Sequence, residues 1–183
     1  RGILYHALAE RFIKSGARPD SEEGRAAMDE IIAELLFEAE LAPHLAVSWV
    51  PRLRSVADEF LAFETRRRAL TSIEQSLTEV PAGFDIPLAG VRLTGIADRI
   101  DMLSGGGAEI IDYKTGSSPS LKQARTLLDP QLPLEAAALA AGGFKEVAPV
   151  EATSLKYVRL RPGHRFIGEA LEEISDEVVR QAI

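Results

Sequence analysis

At 183 residues and 46% hydrophobic composition, the chain is long enough for one domain with a sizeable core. It has no cysteine, which excludes disulfides, thiolate catalysis and cysteine-ligated zinc or iron-sulfur sites, and it shows neither a signal peptide nor an apolar run of the roughly 18 residues a membrane span needs. The formal net charge of −7 weighs against a dedicated nucleic-acid binder, and a cytoplasmic setting is the default expectation. Beginning at Arg1 rather than Met, the chain reads as a piece of a longer polypeptide.

Residues 2–15 read as a helix, with Leu4, Leu8, Phe12 and Ile13 on one stripe, His6 beside it and Gly16 as its stop. Asp20-Ser21-Glu22-Glu23 caps a second helix to about residue 41, whose core side carries Met28, Ile31, Ile32, Leu35 and Leu36 and which Pro43 ends. A third helical pattern runs from 44 to about 72, with Pro51 read as an N-terminal proline and Arg66-Arg67-Arg68 at its end. Three cations there suit the helix dipole or a phosphate contact.

From Ile73 the period shortens to two, predicting short strands over 76–80 and 84–88, a longer one over 91–103, and another ending in Thr115-Gly116. Helices are expected over 121–128 and 131–141, a strand over 152–161, and an acidic helix over 167–183. The pattern predicts an α/β protein with a small central mixed sheet and flanking helices. It is read as a single domain with a helical part, 1–72, and a sheet-containing part, 73–183.

The chemistry concentrates in two runs, Gly95-Ile96-Ala97-Asp98-Arg99-Ile100-Asp101 and Ile110-Ile111-Asp112-Tyr113-Lys114-Thr115-Gly116, joined across the turn signal Ser104-Gly105-Gly106-Gly107. Asp112 and Lys114, two apart on a strand, share one face. A hairpin centred near Gly105 sets Asp98 opposite Asp112, and one centred near Gly106 sets Asp98 opposite Lys114. Either leaves the two carboxylates roughly 5 to 8 Å apart on that face. Such a pair repels unless a cation lies beside it, and a hard divalent ion suits carboxylate oxygens and water. The bland alternative is a solvated hairpin with Lys114 in a surface ion pair.

Gly-x-x-Asp-Arg-Ile-Asp, then Ile-Ile-Asp-Tyr-Lys-Thr-Gly, then Pro130-Gln131-Leu132, resembles the RecB-type nuclease domain of the PD-(D/E)XK superfamily, most closely the AddB-type nuclease domain of bacterial helicase-nucleases in double-strand break repair. The likeness covers nearly the whole chain and implies a restriction-endonuclease-like fold. It also implies hydrolysis of DNA phosphodiester bonds with Mg²⁺ or Mn²⁺, by exonuclease action.

Carried over, the resemblance implies Asp98 and Asp112 as acidic metal ligands, Lys114 as the catalytic lysine, and the Tyr113 carbonyl and His6 (from Gly2-x-x-x-His6) as further ligands. Glu79, on the strand before the hairpin, reads either as an accessory acid of the site or as a surface glutamate. Asp101, at an odd offset from Asp98, is read as structural. In the family, Gln is followed four residues later by Tyr on a helix that contacts nucleic acid; here Gln131 is followed by Glu135. Many AddB-type domains also carry four cysteines for an iron-sulfur cluster, and this segment has none.

Arg66, Arg67, Arg159 and Arg161, joined by Arg68, Lys156, His164 and Arg165, are expected to form a basic DNA-binding face. The implied partners are DNA, the motor domains of a parent chain and a partner subunit, with no membrane. The competing expectation is a nuclease-fold module that has lost catalysis and guides DNA. A phosphohydrolase of small compounds is disfavoured, because no Gly-rich loop at a helix start offers a phosphate cradle.

Overall fold

The structure, a computed structural model, describes residues 2–40, 42–86, 90–116, 130–166 and 168–171. The expected helix over 121–128 lies outside them. The chain divides into two compact units, residues 1–71, 113–116 and 159–167 in the first, and 72–112, 117–158 and 168–183 in the second.

The first unit is built on α1 (Gly2–Ser15), α2 (Glu22–Glu38) and α3 (Pro43–Leu70). Their apolar stripes bury Leu8, Phe12, Met28, Leu35, Leu53, Val56 and Phe60, each contributing about 1.5–3 kcal/mol where burial is complete. Phe12 meets Phe60 edge-on at 6.0 Å between centroids, the geometry ring quadrupoles favour. The Ser21 hydroxyl starts α2 by accepting from the Gly24 N–H at 3.0 Å while donating to the Arg18 carbonyl at 2.9 Å. Pro51 is not the N-terminal proline it was expected to be. Pro43 takes that position, where a missing N–H costs nothing, and Pro51 lies inside α3.

The second unit is built on a five-stranded sheet in the order β1-β2-β3-β4-β5, comprising β1 (Ile73–Ile86), β2 (Val91–Leu103), β3 (Ala108–Lys114), β4 (Ala152–Arg159) and β5 (Gly168–Leu171). Helix α4 (Gln131–Ala140) buries Leu132, Ala136 and Leu139 in a core with Ile100, Ile110, Leu155 and Tyr157. The sheet is mixed. β1–β2, β2–β3 and β4–β5 are antiparallel; β3 and β4 are neighbours, with the Ala108 N–H donating to the Glu151 carbonyl at 2.9 Å and the Thr153 hydroxyl donating to the Ala108 carbonyl at 3.2 Å.

Two expectations change here. As far as Ile86, the strands expected at 76–80 and 84–88 are one continuous β1 across Pro81, which is tolerated because β1 is the edge strand; positions 87 and 88 lie outside the described residues. Residues 168–171, expected as the start of a helix, pair with β4, Leu155 with Leu171 through Val158 with Gly168, so tertiary pairing overrides local helix propensity. The rest of that expected helix lies outside the described residues. Among the described residues, no helix is long and apolar enough to cross a membrane.

Candidate active site

β3 is buried at every position but its last, Lys114. A carboxylate in such a strand needs a specific stabilising environment. The hairpin register pairs Arg99 with Ile111 and Ile100 with Ile110; continued by one residue, it sets Asp98 opposite Asp112, the alternative centred on Gly105. On the other side of β2, Thr78 pairs with Arg99 and Val80 with Ala97, which brings Glu79 level with Asp98. Glu79, Asp98 and Asp112 therefore form one row across three neighbouring strands, the first exposed, the second half-buried, the third buried.

Glu79 adopts φ 50°, a left-handed conformation that costs energy in any residue with a Cβ and that collects at functional sites. Among the described residues, no three His, Asp or Glu side chains are gathered closely enough to hold a metal ion by themselves. Two opposed carboxylates, with water completing the shell, are the kind of donor set magnesium takes.

Gln131, at the first turn of α4, does not project toward solvent. Its Nε2 donates to Asp112 Oδ1 at 2.5 Å and to Glu135 Oε1 at 3.1 Å. Glu135, the departure from the family's Tyr, thus shares one amide with the buried aspartate. This link was missed from sequence, where Gln131 was assigned to DNA; the signal was the i, i+4 spacing of Gln131 and Glu135 on one helix face.

Asp101 lies on the alternate face of β2 in a fully buried ion pair with Arg99, Nε to Oδ1 2.8 Å. Glu109 pairs with Lys156. Lys156 is therefore engaged in the sheet and is no part of an open basic face.

The last residues of β3 belong to the first unit, and there they meet α1. A Cβ on Gly2 would stand 3.0 Å from the Thr115 hydroxyl, so glycine lets the start of the helix approach this strand end closely. One turn later the His6 ring meets the Tyr113 ring edge-on at 6.1 Å, and Tyr113 also packs on Phe60. The Gly2-x-x-x-His6 spacing is thus a helical repeat that sets both residues against Tyr113–Gly116. The Lys114 carbonyl accepts from the Leu160 N–H at 2.8 Å, anchoring the backbone from which the lysine side chain extends.

Of the expected basic face, Arg159, Arg161, His164 and Arg165 are exposed in the same unit. Arg66 donates to the Phe166 carbonyl at 3.1 Å and so ties that segment to α3. Arg67 is the exception, 5% exposed and 3.7 Å from the buried Glu64, a core ion pair with no access to phosphate.

An uncharacterised protein of Rickettsia bellii is 23% identical over 98% of this chain and 23% of its own length. One of Rickettsia typhi is 28% identical over 87% of this chain and 19% of its own length. The chain spans about a fifth of the length of these curated relatives. Among solved structures, that titled "Crystal structure of SSO0001" is 18% identical, covers 97% of this chain and 71% of its own, and gives a TM-score of 0.40. A sequence-family profile described as the PD-(D/E)XK nuclease superfamily matches residues 1–182. That match, with the mixed sheet and its flanking helices, establishes that the chain belongs to the PD-(D/E)XK nuclease superfamily.

Proposed function

We propose that the chain is a Mg²⁺- or Mn²⁺-dependent deoxyribonuclease, acting as the exonuclease of a helicase-nuclease that processes double-strand breaks for recombination. The observation that carries this is the hairpin register, which opposes Asp98 and Asp112 at the end of a buried strand with Lys114 two residues on. The superfamily supports nuclease chemistry in general. The RecB- and AddB-type assignment rests on the motif resemblance, as do DNA as substrate and the motor and partner subunits.

In this reading Asp98 and Asp112 hold the cation, with His6 and the Tyr113 carbonyl as further ligands. A cation so bound supplies charge neutralisation at the scissile phosphate and a water of lowered pKa. Lys114 would orient an attacking water and balance the charge that develops on the phosphoryl oxygens. Gln131 fixes the rotamer of Asp112, and the exposed arginines at 159 and 161 with His164 and Arg165 meet phosphates farther along the strand.

The test is degradation of linear DNA with Mg²⁺ by Asp112→Ala and Lys114→Ala proteins that retain the parent's circular dichroism. Both are expected to lose activity, and degradation at the parent's rate would overturn the assignment. Calorimetry with Mn²⁺, comparing the parent with Asp98→Asn, separates this reading from an inert nuclease-fold module, which binds no metal.

A further inference from the structure

A cavity of about 150 Å³ opens beside the Asp112 site in the second unit, with Phe84, Leu93 and Leu134 among its walls and Gln131 and Glu135 at its polar end. Gly95, on β2 three residues before Asp98, is part of the same wall. This glycine has no structural explanation of its own. Its φ is not left-handed, and a Cβ there would meet nothing within 4 Å. Gly83, by contrast, faces Arg92 and donates to the Gly143 carbonyl. A strand glycine with open space before it marks a place where a ligand approaches the backbone.

We infer that this cavity takes one unpaired nucleobase of the strand being cut. The inference rests on the nuclease reading for its substrate and adds that the substrate is single-stranded, or frayed, at the nucleotide beside the scissile bond. Three features of the cavity favour this occupant. The cavity adjoins the proposed catalytic carboxylates, because Gln131, which donates to Asp112, is one of its lining residues. Its walls are apolar and include one aromatic ring, the surface on which any base stacks. Its polar end carries a carboxylate, a ligand for the exocyclic amines of cytosine, adenine and guanine, whereas thymine offers a carbonyl at that position. Glu135 then faces a base edge and not a phosphate, whose charge it would repel.

The experiment uses single-stranded oligonucleotides carrying 2-aminopurine at successive positions, bound in EDTA so that no metal or cleavage enters the readout. The parent is expected to change the fluorescence of one position more than the others, as a base leaves its neighbours and enters the cavity. Gly95→Phe, which fills the wall without meeting backbone, and Phe84→Ala, which removes the stacking ring, should each abolish that positional signal and weaken binding on the order of 10- to 100-fold. An abasic nucleotide at that position should weaken the parent equally and leave Gly95→Phe unaffected. Uniform changes along the oligonucleotide, a signal that survives both substitutions, or no saturable binding would overturn the proposal. Loss of hydrolytic function alone would not, so the two readings fail separately.

Discussion

Gln131 Nε2 stands 2.5 Å from Asp112 Oδ1, which makes the start of α4 the support of the carboxylate in β3. The residue that sequence alone assigns to the nucleic acid thus also contacts a carboxylate of the candidate site.

Gln131→Ala is expected to weaken Mn²⁺ binding and lower kcat by on the order of 10- to 100-fold, the usual effect of removing a partner that orients a ligand. KM for DNA should change little, and calorimetry with steady-state kinetics reads both. A raised KM with unchanged kcat would return Gln131 to a DNA contact.

Asp101→Ala should destabilise the protein by about 3–5 kcal/mol, since it removes an ion-pair partner from the fully buried Arg99 guanidinium. The double replacement Arg99→Met with Asp101→Leu should recover most of that loss, because removing both charges removes the desolvation problem. Urea unfolding of the three proteins measures it. Failure of the double replacement to recover would mean that the pair holds the β2 register near Asp98 by more than charge.

The helices and the hairpin were legible because their signals are local. Gly16 stops α1, Ser21 caps α2, and the Ser104–Gly107 turn fixes which residues of β2 and β3 can pair. The register itself was not, since one residue of turn placement decides whether Asp98 faces Asp112 or Lys114. What escaped the sequence is long-range. The pairing of residues 168–171 with β4 needs a free sheet edge that no local pattern announces, and the continuity of β1 through Pro81 needs knowledge that β1 is the edge. Arg66 and Arg67 are indistinguishable in sequence, yet one reaches the Phe166 carbonyl and the other is buried beside Glu64.

Gly24→Ala should destabilise the protein, reversing the ordinary gain of about 1 kcal/mol for alanine over glycine in a helix. An added Cβ would stand 1.9 Å from the Arg18 carbonyl oxygen, and the backbone there is held by the Ser21 cap and cannot yield cheaply. A loss of about 1–3 kcal/mol is expected from thermal or urea unfolding. A neutral or stabilising result would show that the turn before α2 opens without cost.

The Arg11–Glu38 contact between α1 and α2 should make the helical unit sensitive to acid. Hydrogen bonding from Arg11, at 2.5 and 2.9 Å, is the largest cause holding the Glu38 carboxyl below its ordinary value; slight desolvation opposes it and the charge of Arg11 adds to it. Because the folded-state value is the lower one, the contribution is fully present above the unfolded value of about 4.3 and is lost as pH falls through the folded value. The stability difference between the parent and Glu38→Gln should therefore be constant from neutral pH down to the unfolded value of about 4.3 and shrink below it. Both partners are solvent-exposed to a degree that admits screening, so about 1 M salt should reduce the difference at neutral pH as well. Urea midpoints for the two proteins across this pH range measure the effect, and a gap that widens on acidification would contradict the assigned direction.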